Sequence, residues 1–169
     1  MLAIFVLALC AVVAAMLDTP LPPVAGAARA SDGDSFRLGE ERVRLLDIDA
    51  PELRQSCTDA AGRGWPCGKQ ARDRMAALLR RGVVDCRPEG RDRYDRLLAR
   101  CSVGGQDLGA ALVGEGWAIA SGDYGREEAQ AKQRRAGIWA GGFDLPRDWR
   151  NDHAQPRRSL FGIIDLPGF

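Results

Sequence analysis

From position 35 the chain alternates. Ser35-Phe36-Arg37-Leu38 and Arg42-Val43-Arg44-Leu45 set apolar and polar side chains on opposite faces of an extended strand. Asp32-Gly33 and Gly39-Glu40 supply tight turns, so strands are predicted over Gly26–Ser31, Ser35–Leu38 and Arg42–Ile48. Pro51 holds Ala50 extended and ends the pairing. Residues 53–67 are polar, with Gly62, Gly64 and Pro66, and read as a loop. The period then changes. Ala71, Met75, Leu78 and Leu79 fall on one face of a helix over Lys69–Arg81, stopped by Gly82. Two further strands, Val83–Arg87 and Arg96–Val103, flank a charged loop at Pro88–Asp95. Asp107–Glu115 buries Leu108, Ala111 and Leu112 as a second helix ended by Gly116, and Arg126–Arg135 is a third, closed by Gly137. Five short strands with three interspersed helices predict an α+β fold, mainly β, built on a small closed barrel rather than a parallel sheet.

The ends follow other patterns. Leu2–Leu17 is sixteen uncharged apolar residues, longer than a usual signal-peptide core and short of the ~20 a spanning helix needs. It is expected to be an export signal or a short membrane anchor. Residues 18–25 are a proline-rich linker, residues 26–140 the folded domain, and residues 141–169 a C-terminal extension. That extension carries Pro146, Trp149, Arg150, Arg157 and Arg158 before an apolar Leu160–Ile164, and either packs back on the barrel or docks elsewhere.

With 169 residues, 46% of them hydrophobic and 28% charged, the chain suits one globular domain with its own core. A net charge of +1 is too small to diagnose a nucleic-acid partner. Among 24 basic residues only Lys69 and Lys132 are lysines. Arginine dominance suits bidentate contacts to phosphate or carboxylate, and equally reflects a GC-rich genome. Besides Cys10, four cysteines remain, with no C-x-x-C spacing for zinc. Of three possible pairings the local one, Cys57–Cys67 with Cys86–Cys101, is favoured because each pair flanks a short connection; the alternative is four reduced core cysteines. Disulfides imply an oxidising compartment, hence a periplasmic, extracellular or membrane-tethered protein.

The single histidine, His153, lies in the extension and is expected to have no catalytic role. Its isolation excludes a histidine general base, a zinc centre and a Ser-His-Asp triad in the core. Chemistry is left to carboxylates and arginines. Between residues 32 and 52 stand Asp34, Arg44, Asp49 and Glu52, and directly before a strand comes Arg91-Asp92-Arg93-Tyr94-Asp95-Arg96. Two acids can hold a hard cation, guanidiniums can offset charge on a phosphate, and a spare carboxylate can handle water. Basic residues around an aromatic suit a nucleotide. One geometric demand follows: Arg44 and Asp49 are an odd number of residues apart, so a regular strand would point them to opposite faces. They share a site only if the strand bends or ends before Asp49.

The motifs Asp32-Gly33-Asp34-Ser35, Val43-Arg44-Leu45-Leu46-Asp47-Ile48-Asp49-Ala50-Pro51-Glu52 and Asp92-Arg93-Tyr94-Asp95-Arg96 together resemble the staphylococcal nuclease (thermonuclease) family. The likeness continues through Asp107-Leu108, Gly116-Trp117-Ala118 and Glu128-Ala129-Gln130-Ala131-Lys132 to Gly137-Ile138-Trp139, in family order across residues 26–140. The resemblance implies a five-stranded OB-fold barrel with three helices, and a monomeric, calcium-dependent nuclease that cleaves DNA and RNA to 3′-phosphates. In that pattern Asp34 and Asp49 hold Ca²⁺ with the backbone carbonyl of Ala50. Glu52 assists the attacking water, and Arg44 and Arg96 bind the phosphate. Arg93, Tyr94 and Tyr124 line the nucleotide pocket. No protein partner is implied; a membrane contact would run through residues 2–17. Arg93 replaces a lysine, one expected tyrosine near Gly122 is missing, and Asp95 stands where glycine usually separates tyrosine from arginine, adding a negative charge beside Arg96. The alternative reading is a non-catalytic OB-fold module that binds nucleic acid or protein.

Overall fold

The computed structural model describes residues 21–153 and, ahead of them, Ile4 and Val6. The expected signal or anchor at 1–17 and the apolar end at 160–164 lie outside the described residues, those two positions apart. Among the described residues no helix is long and apolar enough to cross a membrane.

The barrel grows from the alternation. Strands β3 (Ser35–Leu38) and β4 (Glu41–Leu45) form the expected hairpin, and Phe36, Leu38, Val43 and Leu45 all turn inward. Strand β4 then pairs in parallel with β9 (Leu97–Val103), which pairs antiparallel with β8 (Val84–Arg91). Two short strands, β1 (Val24–Gly26) against β8 and β2 (Ala28–Ala30) against β3, form the sheet's two edges. A single residue, Ala27, separates them, so one bent strand joins both edges and curls the sheet into a nearly closed five-stranded barrel. It begins two residues ahead of the strand expected at Gly26.

Two other strand boundaries differ from expectation. The run Arg42–Ile48 is not one strand. It breaks after Leu45, Asp47 takes the left-handed conformation at φ 60°, and β5 (Ile48–Asp49) departs to pair with β11 (Ile119–Ala120). Strand β8 runs through the expected Pro88–Asp95 loop as far as Arg91, because a bulge between Pro88 and Gly90 absorbs the missing proline N–H. Within the expected 53–67 loop, β6 (Cys57–Thr58) and β7 (Gly64–Trp65) make a small hairpin.

Helix α1 (Cys67–Leu79) buries the predicted Ala71, Met75, Leu78 and Leu79. A side chain such as Met75, fully enclosed, contributes roughly 1.5–3 kcal/mol. After β10 (Gln106–Asp107), helix α2 (Leu108–Gly114) is capped by Asp107, whose carboxylate accepts from the Ala110 N–H at 2.8 Å. It adds Leu108 and Leu112 to the same core. Helix α3 (Gly125–Gln133) follows, then a 3₁₀ turn at Gly137–Ala140. The extension supplies a fourth helix, α4 (Pro146–His153). Both disulfides form as expected: Cys86–Cys101 joins directly paired residues of β8 and β9, and Cys57–Cys67 ties β6 to the start of α1. Around the second, Ile138, Trp65, Trp139 and Phe143 build a smaller core.

Candidate active site

The break at Asp47 resolves the parity problem. With β4 ended and β5 redirected, Arg44 Nη2 lies 2.9 Å from Asp34 Oδ2 and 3.0 Å from Asp49 Oδ1. Backbone pairing sets both acids. Asp34 precedes the Ser35–Arg44 partnership and its carbonyl accepts from the Leu45 N–H at 2.9 Å, while Asp49 is paired with Ile119. Gly33 is required where it stands, since a Cβ there would lie 2.7 Å from Ala50 Cβ and 3.0 Å from Ala71 Cβ. The Asp32–Asp34 turn therefore seats directly on the segment that carries Asp49 and on α1. Gly68 does the same for Glu52: a Cβ at 68 would meet the Glu52 carbonyl oxygen at 1.7 Å. Glu52 is further held by Gln55, whose Oε1 accepts from the Glu52 N–H at 3.1 Å and whose N–H donates to the Glu52 carbonyl at 2.7 Å.

Asp34, Arg44 and Glu52 line a cleft of about 520 Å³ with Asp32, Ser35, Arg42, Arg93, Tyr94, Arg96 and Arg150, and Asp49 is joined to it by its ion pairs with Arg44 and Arg150. Arg44, Glu52, Arg96, Arg93 and Tyr94 thus share the opening with Asp34. Tyr94 is 55% exposed, with the Arg93 guanidinium 4.8 Å and that of Arg96 5.7 Å from its ring centre. Arg96 is oriented by Asp92, which accepts from its backbone N–H at 3.0 Å and from Nε at 2.7 Å. Asp95 does not face Arg96. It adopts φ 60°, a conformation Asp tolerates better than most residues, and its carboxylate pairs with Arg91 at 3.3 Å. The negative charge expected beside Arg96 is therefore directed elsewhere.

Tyr124 is not part of this assembly. It is buried against Gly109 and donates to Asp107 Oδ2 at 3.2 Å, and burial followed by the Asp107 charge pushes its phenol up to about 12. Ala50 is buried. His153 stacks on Trp149 at 4.1 Å between ring centres and stays exposed.

Asp32, Ser35, Arg42 and Arg150 of the cleft were not singled out from sequence, and two of them bear directly on the charge of its acids. Asp32 is one; its signal was its place beside Asp34 in the Asp32-Gly33-Asp34 turn. Burial, opposed by the bond its carboxylate accepts from the Gly33 N–H, pushes Asp32 up to about 6, and the charges of Asp34 and Glu52 add to this. The second is Arg150, from α4. Its guanidinium donates to Asp49 Oδ1 at 2.9 Å, Asp49 Oδ2 at 3.0 Å and Glu52 Oε1 at 2.7 Å.

The donor set suits a hard cation: the acids of the cleft offer carboxylate oxygens, with no cysteine or histidine among its lining residues. Asp34 is only 4% exposed, and burial lifts its carboxyl above the usual carboxylate range. Arg44 and the Ser35 hydroxyl, which donates at 2.8 Å, oppose that shift, while Asp49 and Glu52 reinforce it. A desolvated carboxylate crowded by like charges gains from a cation. Among the described residues no three such side chains converge into a ready-made cage, so protein groups would supply only part of a coordination shell.

The protein is an OB-fold-like barrel with acids and arginines converging at one cleft, and comparison with known proteins narrows its class. Residues 42–141 match the family model described as staphylococcal nuclease homologue, and the chain belongs to that family. It is 36% identical over 140 residues to the succinoglycan biosynthesis protein ExoI of Rhizobium meliloti, covering 76% of this chain and 73% of the relative. It is 33% identical over 144 residues to the micrococcal nuclease of Shigella flexneri, covering 72% and 77%. An uncharacterized endonuclease of Haemophilus influenzae is 31% identical over 134 residues, covering 71% and 68%.

Proposed function

We propose that the protein is a nuclease that hydrolyses phosphodiester bonds of DNA and RNA with the help of Ca²⁺. The observation that carries this reading is the single guanidinium nitrogen of Arg44 within 3.0 Å of both Asp34 and Asp49, in a cleft that Arg96, Tyr94 and Glu52 also line. The names of the micrococcal nuclease and endonuclease relatives support the same chemistry.

Asp34 and Asp49 would hold the cation, with the Ala50 carbonyl as a further oxygen donor. Bound there, calcium would supply positive charge next to the scissile phosphate. Glu52 takes a proton from the water whose oxygen attacks phosphorus. The bond from phosphorus to the 5′ oxygen breaks, and the proton passes to that oxygen. The products are a 3′-phosphate and a 5′-hydroxyl. Arg44 and Arg96 offset the charge that grows on the phosphoryl oxygens, a contribution of about 10²–10³ in rate for one well-placed donor. Tyr94 and Arg93 contact the base or ribose. Two disulfides are consistent with work in an oxidising compartment, as an exported or tethered monomer.

End-group analysis of a short oligonucleotide digested in calcium tests the reaction itself. The reading requires 3′-phosphate and 5′-hydroxyl termini, and their loss with Glu52→Ala. Intact oligonucleotide that nonetheless binds the protein would identify a binding module instead.

A further inference from the structure

Arg150 lies beyond residues 42–141, where the family model ends, yet it makes three charge-assisted hydrogen bonds to the acids of the cleft. The helix that bears it is firmly attached. Thr58 N–H donates to the Gly142 carbonyl at 2.8 Å, and Gly142 N–H donates to Thr58 Oγ1 at 3.1 Å. Gln55, 1% exposed, donates from Nε2 to the Asp144 carbonyl at 2.7 Å. The same glutamine fixes the Glu52 backbone, so one buried side chain sets both Glu52 and the segment entering α4. The Cys57–Cys67 disulfide braces the hairpin to which that segment is joined.

Both oxygens of Asp49 are thereby engaged, with three of its about four acceptor sites taken. Arg150 takes both of its oxygens, and Arg44 takes Oδ1 a second time. An ionised carboxylate offers about four lone-pair sites, so coordination of a hard cation by Asp49 competes with these bonds. Without a cation and without Arg150, Asp34, Asp49 and Glu52 would be left, among the described residues, with Arg44 as the one guanidinium paired to them.

We propose that Arg150 is a built-in counter-cation, occupying Asp49 and Glu52 when no divalent cation is bound and competing with that cation for Asp49. This rests on the calcium reading above. The extension then belongs to the site: it keeps the acids paired in the metal-free protein and raises the calcium concentration at which they are released.

Calcium titration calorimetry on the full, oxidised chain without nucleic acid tests the competition. Arg150→Ala is expected to bind calcium about tenfold more tightly than the native chain, within the roughly 5–150-fold range of ordinary ligand coupling. Arg150→Gln removes the charge while keeping a polar side chain with part of the aliphatic stem and should shift affinity the same way, which guards against a variant that fails to fold. A merely structural role would leave affinity unchanged or weaken it, and that result in both variants overturns the competition while leaving the calcium reading intact. No calcium binding by native chain or variants overturns both.

Discussion

The bend at Asp47 carries the site, and its energetics can be isolated with two substitutions. Asp47→Gly and Asp47→Ala both remove the carboxylate that pairs with Arg100, a half-exposed contact worth up to about 1 kcal/mol. Arg100 keeps Glu89 at 3.0 Å and Asp123 at 2.9 Å in either variant. The two differ in backbone cost. At φ 60° alanine suffers the left-handed penalty of about 1–2 kcal/mol, which glycine escapes. Glycine loses about 0.4–1 kcal/mol more through the freedom of its unfolded chain. The balance leaves Asp47→Ala less stable than Asp47→Gly by about 0.8 kcal/mol at the centre of a range of roughly 0–1.6, or a few degrees of melting temperature for a chain of this size. Urea denaturation of the two oxidised proteins, followed by tryptophan fluorescence, measures this directly. If alanine is more stable than glycine, position 47 does not hold a left-handed bend in solution, and the account of how Arg44 meets Asp49 fails.

Other outcomes follow from the same geometry. Arg96→Ala and Glu52→Ala should each slow turnover by about a hundredfold or more, with circular dichroism unchanged; unchanged turnover in both would remove those roles. Asp32, held near 6 in the folded state against an ordinary 3.8, binds its proton more tightly folded than unfolded. Its contribution is therefore present in acid and lost as pH rises from about 4 to about 6. In metal-free protein Asp32→Asn should remove that decline, and a stability–pH curve parallel to the native one would contradict the burial of this carboxyl. Reduction of Cys57–Cys67 and Cys86–Cys101, which close separations of 10 and 15 residues, should cost roughly 2–4 kcal/mol each, seen as a lower urea midpoint in dithiothreitol.

Much of the barrel was legible because the alternation in Ser35–Leu38 and Arg42–Leu45 and the helical period through Met75 report burial directly. What escaped was decided by tertiary contact. The only local mark of a break within Arg42–Ile48 is that aspartate tolerates the left-handed conformation; no glycine or proline stands at 47. The left-handed Asp47 is sustained from outside by Arg100 and by the Ser121 N–H, which donates to its carbonyl at 2.9 Å. Pro88 pointed to a loop, and a bulge kept it in a strand. The acids of the cleft lie within one short stretch, so local motif and resemblance sufficed to nominate Asp34, Arg44, Asp49 and Glu52. Arg150 is 101 residues from Asp49, and it arrives through Gln55 and Thr58, neither of which carries a chemical signature in sequence. Tyr124 was assigned to the pocket by resemblance, but its ring fills the space over Gly109 and its hydroxyl donates to Asp107.

The most direct test of the account is a nuclease assay on the purified chain with both disulfides intact, run in millimolar calcium and in EDTA. Degradation of DNA or RNA that calcium supports and EDTA abolishes is the predicted result. Full activity in EDTA, or none against any nucleic acid with calcium present, would contradict it.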